Sequence, residues 1–322
     1  MNKLSIYTLK GLRKLYFIVN PNSSLFGRNW KMFSNKDYSN DLIYSYLVSD
    51  QPCMITRFGS TELTCLMNYI GVKNKGKQIF NYIKGKTSPW WWDTNIMNQL
   101  HINAGFFPPK IDKIEQFCEL MLRDIPQVDI LGSWLNEERH FNEKLYYAKR
   151  VVLEDLEPFF AKNPWSRALE GKKILVVHPF AETIEQQYKK RELLFDNNLL
   201  PEFELKIIKA VQSIAGINTE FKDWFEALAW MEAEIDKEDY DICLIGAGAY
   251  GFPLAAHVKK MGKKAIHLGG ATQLLFGIKG RRWVDNPMLY YPYVNLFNEH
   301  WTYPLQINKI QGAERVEDAC YW

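Results

Sequence analysis

Four clusters in this chain combine residue types that handle anions and protons. Gly246-x-Gly248-x-x-Gly251, with Tyr250 inside it, follows the apolar run Ile242 to Ile245. His267-Leu268-Gly269-Gly270, with Gln273 just beyond, follows a second apolar run. Arg57-Phe58-Gly59-Ser60-Thr61-Glu62 and His178-Pro179-Phe180-Ala181-Glu182 each follow another. Glycine at a strand-to-helix turn lets backbone N–H groups approach a phosphate, and the helix N-terminus adds partial positive charge. Arginine grips phosphate through paired N–H groups, while carboxylates and imidazoles carry protons. Together these residues suggest a site for a nucleotide or another phosphorylated ligand.

The elements that must position them are readable from periodicity. Strands are predicted at Cys53 to Arg57, Val128 to Leu131, Val151 to Leu153, Ile174 to His178, Phe203 to Ile208, Ile242 to Ile245 and Ala265 to Leu268. Helices are predicted at Ser60 to Tyr69, Ile111 to Asp124, Ala181 to Leu194, Phe221 to Ile235 and Pro253 to Met261. Continuous apolar strands alternating with amphipathic helices predict a Rossmann-like α/β fold, a mostly parallel sheet with helices on both faces. The polar clusters then fall at the carboxyl ends of strands, where open α/β sheets bind ligands. Residues 46–285 are expected to form this single domain. A basic helical segment (1–45) precedes it, and an irregular tail (286–322) packs on it.

Bulk properties narrow the partners. Residues 1–86 carry a net charge of +9 within a chain of net +3, which hints at phosphates or a membrane surface. Nucleic acid is not expected, because the net charge is modest and no recognition motif is present. The five cysteines are odd in number and never spaced C-x-x-C, as in a cytoplasmic protein with reduced thiols. No apolar run reaches 18 residues, so no membrane-spanning helix is expected. Read as a helix, the N-terminus places Leu4, Leu12, Leu15 and Val19 on one face and Lys3, Lys10, Arg13 and Lys14 on the other. Such a helix either packs on its own domain or lies peripherally on the inner face of a membrane.

Two readings of the glycines compete. The G-x-G-x-x-G spacing suits a dinucleotide, as in an NAD(P)-dependent oxidoreductase. The acidic residue that would hold the ribose is absent, however, because the second strand ends in His267-Leu268-Gly269. Arg57-x-Gly59 followed by Glu62 at a helix start, in contrast, resembles the R-x-G-D-G-E signature of GT-D-type bacterial glycosyltransferases. The Leu244-Ile245-Gly246 and Ile266-His267-Leu268-Gly269 strand ends are similar to that family's too. The similarity covers residues 50–72 and 240–271.

The resemblance implies transfer from a nucleoside diphosphate sugar, of UDP type, to a polysaccharide, glycan or lipid-linked acceptor. Its D-x-E motif is tied to Mn²⁺ or Mg²⁺, but here Ser60 replaces the Asp. Only Glu62 remains as a metal-ligating carboxylate, which leaves metal dependence open. The candidate substrate- or nucleotide-binding residues are Arg57, Gly59, Ser60, Gly246, Gly248, Tyr250, Gly251, His267, Gly269, Gly270, Gln273 and Arg281, with Arg57, Gly59 and the Gly246–Gly251 loop on the diphosphate. Glu62, Glu182 and His178 are the candidate catalytic groups. Each has a structural alternative: Arg57 paired with Glu62, Glu182 serving a helix dipole, and the histidines and glycines serving packing and turns. A nucleotide-binding protein without transfer activity is the remaining reading.

Overall fold

The computed structural model describes residues 2–21, 33–74, 76, 78–217, 219–285, 292–316 and 318–322. The N-terminal positions 22–32 and the tail positions 286–291 lie outside them. Seven strands, β1 (Cys53–Thr56), β2 (Ile130–Ser133), β3 (Lys149–Val152), β4 (Lys173–His178), β5 (Glu204–Lys209), β6 (Ile242–Ile245) and β7 (Lys264–His267), form one sheet. All pairings are parallel, in the order β3-β2-β1-β7-β6-β4-β5. Each predicted strand is present; Ile242 to Ile245 keeps its bounds, and the others shift by a residue or two at one or both ends.

The apolar runs are continuous because both faces of the sheet are covered. Met54, Leu175, Val177, Cys243, Ile245 and Ala265 point into one core. That core also takes α3 (Ser60–Lys73), α5 (Thr94–Ile102), α6 (Ile111–Asp124), α8 (Trp224–Asp236) and α9 (Gly251–Lys260). Their strand neighbours Cys53, Ile55, Ile174, Val176, Ile242, Leu244 and Ile266 point into the opposite core. There they meet α2 (Lys36–Val48), α7 (Ala181–Tyr188), α10 (Thr272–Leu275) and the tail. Two short helices, α4 (Ile79–Ile83) and α11 (Arg281–Val284), complete the set together with α1 (Lys3–Val19). No helix among the described residues is long and apolar enough to cross a membrane.

Several predicted boundaries shift for local reasons. The expected division between residues 45 and 46 falls inside α2, which belongs to the α/β domain. Asp155 accepts hydrogen bonds from Asn35 N (2.9 Å) and Ser39 Oγ (3.0 Å), and Ile43 and Leu47 are buried. The helix predicted to reach Leu194 ends at Tyr188, whose ring stacks on Phe203 and whose hydroxyl accepts from Phe203 N at 2.6 Å. The helix predicted from Phe221 begins at Trp224, because the Asp223 side chain caps it by accepting from Glu226 N at 2.9 Å. Trp90 and Trp91 pack edge-on to Tyr82 and offer no shared platform. All five cysteines are buried free thiols.

The N-terminal helix sits the unexpected way round. α1 lies against α4, burying Leu9 beside Tyr82 and Trp91. Its basic side faces the domain: Lys10 bridges Asp93 at 2.7 Å, and Arg13 lies over the Tyr82 ring. The apolar face is left outward.

Candidate functional site

Strand register brings the polar clusters to one rim. Val177 pairs with Ile245, Ile245 with His267, and Ile55 with Ile266. His178, Gly246 and Leu268, one residue beyond these partners, and Arg57, two beyond Ile55, therefore stand at neighbouring levels across β4, β6, β7 and β1. The connection from β4 runs outward to β5, while that from β6 returns inward to β7, so the loops part between them. A cavity of about 580 Å³ opens along this carboxyl edge. Arg57, Gly59, Ser60, Glu62, His178, Gly246, Gly248, Tyr250, His267, Gly269, Gly270 and Gln273 all line it.

Arg57 is held in place within the cavity by its neighbours. Its Nε donates to Phe58 O (3.1 Å), and its guanidinium lies 5.0 Å over the Trp134 ring. That indole is held in turn by Nε1 donating to Phe58 O at 3.0 Å, while Glu138 accepts the Trp134 backbone N–H. Desolvation lowers the Arg57 pKa, Glu62 offsets it, and the like charge of Arg282 adds to the lowering. The Glu62 carboxylate folds back over Gly59, the N-cap of α3, in space a Cβ would occupy. Gly269, at φ +64°, lets its backbone pass Arg57 Nη1 at a point where a side chain would crowd it.

The histidines are buried and neutral. Desolvation pushes His178 down to about 3. His267 falls to about 3 as well, through desolvation and then the Arg57 charge. Phe180 N–H donates to His178 Nδ1 (2.9 Å), so the ring proton sits on Nε2. The Nδ1 of His178 is thus already engaged as an acceptor, and the ring, which lines the cavity, carries its donor proton on Nε2. His267 Nδ1 lies 3.1 Å from Thr56 Oγ1, and its ring presses on Gly251. A Cβ at residue 251 would overlap that ring, so Gly251→Ala is expected to destabilise the fold by about 1–3 kcal/mol in urea titration. An unchanged midpoint would show that the ring moves aside freely. Gly246 is likewise hemmed by His178 and Thr272, so two of the three fingerprint glycines serve close packing of the two histidines.

Three candidate residues are engaged elsewhere. Glu182 does not line the cavity: its carboxylate binds Lys209 Nζ (2.6 Å) and Asn308 Nδ2 (2.6 Å). Desolvation pulls its pKa upward, but these two bonds outweigh it and hold the group below the usual range. Arg281 faces away and pairs with Asp285 at 2.8 Å, whereas the next residue, Arg282, lines the cavity. Gln273 uses its amide to donate to the carbonyls of Lys279 (3.1 Å) and Tyr321 (3.3 Å), tying the tail to the sheet edge.

Glu157 is a site residue that sequence reasoning missed. It lines the cavity, its Oε2 is buried without a hydrogen-bond partner, and its pKa is pushed up to about 8. Desolvation is the main cause; a Tyr293 hydrogen bond and the Arg57 charge work against it, and nearby Glu154 works with it. Residues from the tail, Tyr293, Val316 and Tyr321, complete the wall.

The donor set does not fit a divalent cation held by protein alone. Among the described residues no three His, Cys, Asp or Glu side chains converge as ligands, and Glu62 stands beside a guanidinium. Fold and site together define an all-parallel, Rossmann-like α/β protein with a polar cavity across the carboxyl edge of its sheet. No family model, no curated protein and no solved structure matches the chain.

Proposed function

We propose that the cavity binds a nucleoside diphosphate sugar and that the protein is a glycosyltransferase of the GT-D-like type. The observation that carries this reading is the pair Arg57 and Arg282 lining one cavity, in which Arg57 is desolvated and its charge is made costlier by Arg282. A diphosphate relieves that repulsion and accepts paired N–H groups from a guanidinium. His178 Nε2–H supplies a further donor. These cations fill the role a divalent ion would otherwise play on the leaving group.

In transfer, an acceptor hydroxyl attacks the anomeric carbon as the bond from that carbon to the diphosphate oxygen breaks. The leaving diphosphate keeps the electron pair and is stabilised by Arg57 and Arg282. The hydroxyl proton passes to a carboxylate. Glu157 suits that step, since a base is most effective with a pKa near the working pH. Glu62 balances Arg57.

Thermal shift with UDP, GDP, CDP and NAD, each with and without Mn²⁺, tests the reading. A nucleoside diphosphate is expected to stabilise the protein, by about 2.7 kcal/mol at a hundredfold excess over Kd. Arg57→Ala is expected to abolish that shift. Stabilisation by NAD alone would transfer the site to the oxidoreductase reading. Nucleotide binding without sugar-nucleotide turnover would leave a binding protein only.

A further inference from the structure

α1 has two faces with opposite chemistry, and the domain has taken the basic one. Lys10 and Arg13 are engaged with Asp93 and Tyr82, and Leu9 fills the small core between α1 and α4. Leu4, Tyr7, Leu12, Leu15, Ile18 and Val19 are left pointing outward. Leu15 is 60% exposed and Ile18 68%. On α4, which packs directly against α1, Phe80 is 78% exposed. Lys3 and Lys14 are exposed at one border of this stripe. Lys84 and Lys86 are exposed on either side of Gly85, which itself lies against Phe17 of α1. A groove of about 620 Å³ runs beside the stripe, sharing Lys14 and Ile18 with it and reaching Met67 and Thr64 of α3.

We propose that this face docks on an anionic lipid bilayer, with α1 lying in the interface plane. An apolar stripe flanked by lysines on an otherwise folded surface is the arrangement that inserts side chains among acyl chains while ammonium groups meet headgroup phosphates. The net charge of +9 in residues 1–86 complements such a surface. A second copy of the chain fits less well. A two-fold contact through α1 brings the same lysines of both copies to one interface, where like charges repel. The proposal stands apart from the cavity's ligand, because vesicle binding needs no turnover.

Co-sedimentation of the full chain with phosphatidylcholine vesicles, and with vesicles holding a third phosphatidylglycerol, tests it. Binding is expected to the anionic vesicles only and to weaken as salt is raised. The double variant Leu15→Glu/Ile18→Glu, on side chains that are more than half exposed, is expected to keep the wild-type melting temperature and lose binding at least tenfold. Lys3→Glu/Lys14→Glu is expected to lose it by a similar factor. Wild-type protein that stays in the supernatant with both vesicle types overturns the proposal. So does equal binding of either double variant, or a dimer in solution that Leu15→Glu/Ile18→Glu dissociates while vesicles are ignored.

Discussion

Acidification from pH 7 to pH 4 is expected to cost the fold about 3 kcal/mol for each of His178 and His267. Both rings are neutral and buried, with folded pKa values near 3 against an ordinary 6.5. In the unfolded chain they take up protons as pH drops below 6.5, while the folded protein resists until about 3. The unfolded state therefore binds more protons throughout that window, and stability falls as pH falls through it. His178→Asn separates this from general acid lability. Asparagine can still accept the Phe180 N–H, but it does not titrate. The variant is expected to be less stable than wild type at pH 7, through lost packing, with the gap closing toward pH 4. Urea titrations at several pH values decide it, and parallel curves for the two proteins would sink the assignment of a buried neutral ring.

Glu157→Gln is expected to cut turnover with a sugar nucleotide by ~100-fold, the scale for a lost proton-transfer group, while leaving nucleotide affinity within a few-fold of wild type. The same substitution has a second signature that does not depend on activity. With a folded pKa near 8 and an ordinary value of 4.5, Glu157 keeps its proton in the fold after the unfolded chain has released it. The stability that Glu157 itself contributes therefore falls as pH rises from about 4.5 to 8, opposite in sign to the histidines, and glutamine removes that part of the dependence. The variant should gain on wild type between pH 5 and pH 8. In the rate profile of wild type, kcat/KM should rise toward pH 8 and the variant should lose that limb. A variant with full activity and a wild-type pH profile would remove Glu157 from the chemistry.

The sheet was legible because its signal is local. The inner strands are short apolar runs ending in glycine or a polar cluster, and burial on both faces leaves those runs uninterrupted, while the edge strands β3 and β5 carry exposed charges. Arg57, His178, Gly246 and His267 could be placed on one rim for the same reason: each follows its strand directly. Glu182 shows the limit. Its position after β4 was readable, but a first-turn side chain can point inward or outward, and Lys209 on the edge strand draws it outward. Arg281 and Arg282 differ by one residue, about 100° around a helix, which is enough to exchange cavity for solvent. Glu157 carried no local signal at all. Its burial depends on Tyr293 and on Arg57, far away in the chain, and its neighbours in sequence read as an ordinary acidic turn.

The wall that Tyr293, Val316 and Tyr321 add to the cavity has a consequence for the order of synthesis. The last strand of the sheet ends at His267, so all seven strands have been synthesised before any of these residues has emerged. Until they arrive, Glu157 lacks its Tyr293 hydrogen bond and Arg57 lacks the favourable influence of Tyr321. These contacts of the site are thus added by residues synthesised after all seven strands of the sheet.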